Sequence, residues 1–314
     1  MATSGSTDFD RTRNEIVTAA LSLLGVYAAG ETPSSEDVAD ASVFLNMMVK
    51  AWNADGIHLW KQSEITLFCE ASTNSYSLTT SNCTASYVET ALSADAASSD
   101  TALTVDSISG ISNGDYLGIV LDDNTIHWTT VSGAPSGSTV TAATGLASAA
   151  SSGNAVYAYT TKIGKPLRIR NIRRKTTDGT EVFMGRNGDT VSRTEYMSYP
   201  NKTATGAPVQ AYYDPRISTG TLFVWPSPDT DLHRIVFTGD LLLEDFDAIA
   251  NTPDFPSEWL EAIVFNLAVR LGPTYGLVMT RDKPDVVAMA AQFKDNLLNW
   301  DREPASVMFQ PDYD

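Results

Sequence analysis

The chain has 314 residues, 43 % of them apolar and only 19 % charged, with 21 basic against 38 acidic side chains and a formal net charge of −17. That length holds one large or two ordinary cored domains, and the acidity argues against a free-standing nucleic-acid binder, which carries a basic surplus. The absence of an 18-residue apolar run, and of an apolar signal region in the opening MATSGSTDFDRTRNE, predicts a soluble protein synthesised in the cytoplasm.

The first helix is announced by Thr12-Arg13-Asn14-Glu15, a capping box whose hydroxyl and carboxylate satisfy free amides at a helix start. Ile16, Val17, Ala20, Leu21 and Leu24 follow at helical spacing, and Gly25 suits a left-handed cap. After Pro33, Ser34 and Asp37 form a second box, and the stripe Val38, Ala41, Leu45, Met48, Trp52 runs to Asp55-Gly56.

From about Ile65 the apolar period becomes two, and SEITLFCEASTNSYSL reads as strands with a turn at Thr73-Asn74. The segment from about Thr79 to Tyr159 differs in composition: rich in Ser, Thr, Ala and Gly, with no Lys or Arg. Its short strands are punctuated by Asn113-Gly114, Asp123-Asn124 and Ser152-Gly153, the pattern of a small all-β barrel or sandwich. Further strands follow in KPLRIRNIRRK, VFMGR, VQAYYD, GTLFVWPSP and HRIVFTGDLLL. Helix is expected to return only at Pro256, as the first helical residue, with Glu258 and Glu261 complementing the helix dipole. A last helix follows Pro284, with Val286, Met289, Ala290, Phe293 and Leu297 on one side.

This order predicts an α+β fold: a terminal helical bundle with a large, mainly antiparallel β insertion between the second and third long helices. The expected parts are a bundle over 1–64 plus 250–300, a β insertion domain over 65–78 plus 160–249, a nested all-β domain over 79–159, and an extended C-terminal arm over 301–314.

Catalytic signatures are missing. His58, His127 and His233 lie far from one another and from cysteine, so no metal-ligand spacing exists. No GxGxxG, phosphate loop or GxSxG occurs, so no cofactor is expected and the chain is read as not an enzyme. Asp240, Glu244, Asp245 and Asp247 offer carboxylates for glycoside hydrolysis, but acidic loops are common in so acidic a chain. Cys69 and Cys83 read as reduced structural thiols, with a bridge between them left open. Lys162, Lys165, Arg168, Arg170, Arg173, Arg174 and Lys175 form a basic stripe, seven of the chain's 21 cations. It is either a solvated strand face or a contact for an acidic partner or a nucleic-acid backbone, and another copy of this acidic chain is an equally good partner.

IVTAALSLLGV followed by SEDVADASVFLNMMVKAWNADGI resembles the opening of the head-to-tail adaptor proteins of short-tailed bacteriophages. EWLEAIVFNLAVRLGPTYG resembles that family's second helical half, and RIRNIRRK, SRTEYMSYPNKTATGAPVQAYYD and GTLFVWPSPD resemble the β insertion of its longer members. The segment 79–159 lies outside the resemblance. The family implies a virion ring, typically of twelve subunits, docked beneath the portal protein at the head–tail junction. Such a ring extends the channel through which DNA passes during ejection, without reading its sequence, and offers a platform for tail nozzle or tail fibre proteins.

Within that reading, Trp259, Ile263, Leu267 and Leu271 are core, and Val264, Phe265 and Ala268 widen the stripe towards a neighbouring copy. Arg270 is expected to pair with an acid. Val307, Met308, Phe309 and Tyr313 are too apolar for a solvated end and Pro304 and Pro311 forbid a helix, so the resemblance makes them a portal-binding arm. The alternatives are a glycan-degrading cell-wall enzyme, or a carbohydrate-binding or decoration module of a virion.

Overall fold

The computed structural model describes residues 9–28, 30–55, 59–252 and 254–300. Its elements in chain order are α1 (Arg13–Leu24), α2 (Ser35–Asp55), β1 (Gln62–Phe68), β2 (Ser75–Ser77), β3 (Cys83–Thr84), β4 (Val88–Ala91), β5 (Ala102–Thr104), β6 (Tyr116–Val120), β7 (Ile126–Thr130), β8 (Thr139–Thr141) and β9 (Ala155–Tyr159). Then come β10 (Arg168–Lys175), β11 (Glu181–Phe183), α3 (Arg193–Ser198), β12 (Gln210–Pro215), β13 (Gly220–Trp225), β14 (Arg234–Asp240), α4 (Leu260–Leu271), α5 (Met279–Asp282) and α6 (Pro284–Trp300). The fold is α+β, and every pairing between these strands is antiparallel. Met1–Lys61 and Leu243–Asp314 make one unit, Gln62–Leu242 the other.

In the helical unit α4 packs against α1, α2 and α6. The capping box of α1 is made: Glu15 N donates to Thr12 Oγ1 at 3.4 Å and Thr12 N to Glu15 Oε2 at 2.9 Å. Gly25 ends the helix at φ 76°. Trp259 is fully buried at the centre, 6.0 Å from Trp52 and 4.7 Å from Trp60, ring to ring. Each large side chain so buried contributes about 1.5–3 kcal/mol. Pro256 caps a turn of 3-10 helix over Ser257–Trp259 instead of opening α4 itself, which starts at Leu260. In α6 the buried stripe takes Ala290 and Leu297, with Val286, Val287 and Phe293 half-buried on the same core. Met289 is exposed, because at about 100° per residue it falls beside the stripe.

In the second unit, β11-β10-β14-β1-β3 form a five-stranded sheet and β12-β13-β2 a three-stranded one. They share a core of Ile65, Leu67, Ile235 and Phe237 with Tyr76, Leu222 and Val224. β1 and β2 thus enter different sheets, and the turn falls at Ala71-Ser72, where Ser72 has φ 62°. Cys69 and Cys83 are free and buried in this core, and burial pushes both thiols well up. One helix in this unit is unexpected: α3, capped by Ser192 Oγ accepting from Glu195 N at 3.2 Å.

The segment of distinct composition folds as a small barrel. β4-β9-β6-β7 form one sheet and β5-β8 a second. Bridges Leu92↔Val105 and Val131↔Ala142 join the two at both edges, so the strands close into a ring. Leu103, Leu117, Ile119, Val140 and Val156 fill it. The expected boundary at 79 needs correction: Cys83 and Thr84 pair with Leu67 and Thr66 of β1, so they belong to the host sheet and the barrel starts at Val88. Its entry and exit adjoin, since Thr84 Oγ1 donates to Thr161 O at 2.9 Å and Ile163 N to Cys83 O at 3.0 Å.

Candidate functional site

Between α1 and α4 the helical unit carries an apolar groove of about 350 Å³. Ile16, Ala19, Leu260, Val264 and Phe265 line it, and Phe9, 63 % exposed, stands at its edge. Arg11 and Glu15 pair at the rim at 3.4 Å, and the Arg11 guanidinium lies 5.4 Å from the Phe9 ring centre. Hydrogen bonds from the Thr12 backbone and side chain hold the Glu15 carboxyl below its usual range, so the rim is charged at neutral pH. A groove of this kind suits an apolar side chain or helix edge.

The three residues expected to face a neighbour fare differently. Val264 lines the groove and is half-buried. Phe265 also lines it, but its ring meets Phe293 of α6 edge-on at 5.1 Å. Ala268 is fully buried within its own unit, so it offers nothing to a second copy. The breadth of the apolar stripe reflects three partner helices packed on α4. Arg270 is exposed, and among the described residues no acid pairs with it, contrary to expectation. Val307, Met308, Phe309 and Tyr313 lie outside the described residues.

Five of the seven cations of the basic stripe lie on β10, and three of these meet acids within their own unit. Arg170 pairs with the fully buried Asp240 at 2.7 Å. Arg173 reaches Glu64 at 2.5 Å and Glu181 at 3.3 Å, and Lys175 sits 4.0 Å from Glu181. Arg174 donates to Pro208 O at 3.3 Å. Arg168 is exposed and, among the described residues, carries no ion pair. Glu181 comes from the other arm of the β10–β11 hairpin, whereas Glu64 and Asp240 come from β1 and β14, distant in sequence, and those two go unseen along the chain.

The four candidate carboxylates fall into different units. Asp240 closes β14, whereas Glu244, Asp245 and Asp247 belong to the helical unit. There Asp245 pairs with Lys50 at 2.7 Å and Asp247 accepts from Asn251 Nδ2 at 2.6 Å. Glu244, Asp245 and Asp254 line a polar depression of about 380 Å³, and Asp254 pairs with Lys61. His233 meets Asp229 at 2.9 Å, His127 meets Thr144 Oγ1 at 3.3 Å, and His58 lies outside the described residues. Among the described residues no cluster suited to a metal ion occurs, and no helix is long and apolar enough to cross a membrane.

The joint between barrel and host sheet escapes sequence reading altogether. Phe68 of β1 projects away from the host core into the barrel's outer face, with Tyr157 at 4.9 Å, Trp128 at 5.0 Å and Tyr87 at 5.4 Å. Beside it the buried Arg234 bonds Tyr87 Oη at 3.2 Å and Glu89 at 3.0 Å, and lies 5.3 Å from the Tyr157 ring centre. Both faces of β1 are therefore covered, and its last four residues, Ile65, Thr66, Leu67 and Phe68, are all buried.

No family model matches the chain, and no curated protein matches it. Among solved structures it is similar to the Gp54 tailspike of Acinetobacter baumannii bacteriophage AP22 in complex with A. baumannii capsular saccharide, at 20 % identity and a TM-score of 0.21. That match covers 23 % of this chain and 14 % of the tailspike, so the likeness is confined to a fragment.

Proposed function

We propose that the protein is a structural component of a bacteriophage virion, a head-to-tail adaptor whose copies form a ring, of twelve subunits in the family it resembles, beneath the portal. The observation that carries this reading is the make-up of the helical unit. The two segments that resemble the adaptor family, at opposite ends of the chain, fold as one α-helical unit around Trp52 and Trp259. The apolar α1–α4 groove supplies a surface for a neighbouring copy, and a heterologous contact closes into a ring when its repeated rotation completes a turn. The net charge of −17 suits a channel wall along which DNA slides. The role is non-enzymatic, and the portal, the tail nozzle or fibre proteins and other copies of the chain are the partners.

Mixing the purified protein with portal rings and imaging the product tests the proposal. Twelve copies in register on the portal are expected, and a monomer or dimer that ignores the portal would sink it. Loss of turbidity of purified cell wall on adding the protein would instead favour the glycan-degrading enzyme.

A further inference from the structure

Part of the barrel's aromatic outer face lies beyond the joint with Phe68. Gly118 of β6 stands directly opposite Trp128 of β7 in the strand register. A Cβ at Gly118 would come within 2.6 Å of an indole carbon, so the six-membered ring of the indole occupies the space that only a glycine leaves open. Phe68 meets the same indole edge-on at 5.0 Å and Tyr159 at 5.9 Å. The ring is clamped in one orientation and stays half-buried.

Beside it opens a shallow depression of about 380 Å³, with Trp128 and Tyr116 in its lining. This is small-ligand size, at the lower end of the usual range of about 300–1,000 Å³. Hydroxyl and amide groups surround the rings. Thr144 Oγ1 donates to Thr129 Oγ1 at 2.8 Å, which fixes both hydroxyls. Asn82 Oδ1 accepts from Tyr159 Oη at 3.0 Å, which orients the carboxamide and leaves its NH₂ without a protein partner among the described residues. One cation borders the depression: the Lys162 ammonium, 4.9 Å from the Tyr116 ring centre. The segment 79–159 supplies no other, since it contains no Lys or Arg.

The matching ligand has an apolar face to lie on rings, a hydroxylated edge and a single negative charge. A polyphosphate would need several cations, and a purely apolar ligand would leave the Asn82 NH₂ and the charge of the Lys162 ammonium facing it unmet. The geometry points to a saccharide site on the barrel, built for a pyranose that carries one carboxylate, as in the hexuronic acid units of acidic glycans. Trp128 is the platform, Thr129, Thr144 and Asn82 address the hydroxyls, and Lys162 addresses the carboxylate. The site is complete in one chain and does not depend on ring assembly.

Saturation-transfer NMR on the full chain, with methyl β-D-glucuronide and methyl β-D-glucoside as probes, tests the inference. Transfer to the glucuronide is expected to exceed that to the glucoside several-fold. Lys162→Gln is expected to reduce the glucuronide signal to the level of the glucoside. Ala143→Trp, at an exposed position lining the depression, should abolish both signals while leaving the circular dichroism spectrum unchanged. Absence of transfer from the parent chain to either sugar would overturn the site, as would transfer that survives Ala143→Trp. Discrimination that survives Lys162→Gln would overturn the assignment of the carboxylate.

Discussion

Asn46 of α2 and the backbone of Phe246 hold each other by two hydrogen bonds. Phe246 N donates to Asn46 Oδ1 at 2.9 Å, and Asn46 Nδ2 donates to Phe246 O at 3.3 Å. The side chain thus stands in for a strand, satisfying both polar groups of a residue whose ring is buried in the helical core. Lys50, one turn on, donates to Leu243 O at 2.7 Å. Asn46→Ala should destabilise the helical unit by about 1–3 kcal/mol, the cost of leaving such groups unmet. Asn46→Asp, which keeps the acceptor only, should recover part of that. Urea unfolding followed by tryptophan fluorescence measures both, and an Asn46→Ala midpoint equal to the parent's would refute the anchor.

The paired stripe makes a sharp distinction among its arginines. Arg170→Gln leaves the buried Asp240 without its guanidinium partner. The expected loss is about 1–3 kcal/mol, below that for a fully buried pair because the arginine is partly solvated. Arg168→Glu, at an exposed position, should change stability by no more than about 0.5 kcal/mol. Equal effects of the two substitutions on thermal unfolding would contradict the pairing.

Removal of the barrel should depend on where the cut is made. Excising Thr79–Tyr159 takes β3 and the buried Cys83 out of the host sheet, and should give an insoluble chain. Excising Tyr87–Tyr159 with Phe68→Ser keeps β3 and removes the exposed ring that the barrel had covered. Only the second should yield soluble protein with a cooperative melt, and two soluble products would show that β3 is dispensable.

Acid should weaken the helical unit through Asp37. Its carboxylate accepts the hydroxyls of Ser34 and Tyr27, each at 2.5 Å, and that of Tyr275 at 2.8 Å. These bonds, Ser34's foremost, lower its pKa below the ordinary 3.8. A depressed carboxyl contributes stability that is present above its unfolded pKa and is lost as pH falls through the folded one. The melting-temperature gap between the parent and Asp37→Asn should therefore be widest near neutral pH and narrow below about pH 4. A constant gap down to about pH 2 would refute the linkage.

Assembly should hinge on the groove. Ala19 is an exposed groove residue, and Ala19→Arg should leave the monomer within about 0.5 kcal/mol of the parent. The same change should abolish ring formation on the portal in native mass spectrometry. Rings formed as readily as by the parent would move the subunit contact elsewhere.

The helical unit was largely legible because its signals are local: Thr12 with Glu15, Ser34 with Asp37, and the stripes of α2 and α4 each lie within a few turns of chain. The barrel strands were legible from their turns, with Gly114, Asn124 and Gly153 all at positive φ. α3 carried the same kind of signal, Ser192 followed by Glu195, but it is six residues long and has too short a stripe to register. The partners of the basic stripe and the aromatic joint at Phe68 were not legible. Each joins residues that only the sheet register brings together, as Arg173 and Glu64 show across the intervening β14.

The hydrogen bond from Thr84 to Thr161 has a genetic corollary. Because the chain leaves the host sheet and returns to it at one spot, the opening accepts any folded cassette whose own ends adjoin, at little cost in loop closure. Recombination at these two codons would exchange the whole barrel, with whatever surface chemistry it bears, while β1, β10 and β14 keep their register. A lineage built this way can exchange the barrel without rebuilding the sheet that carries it.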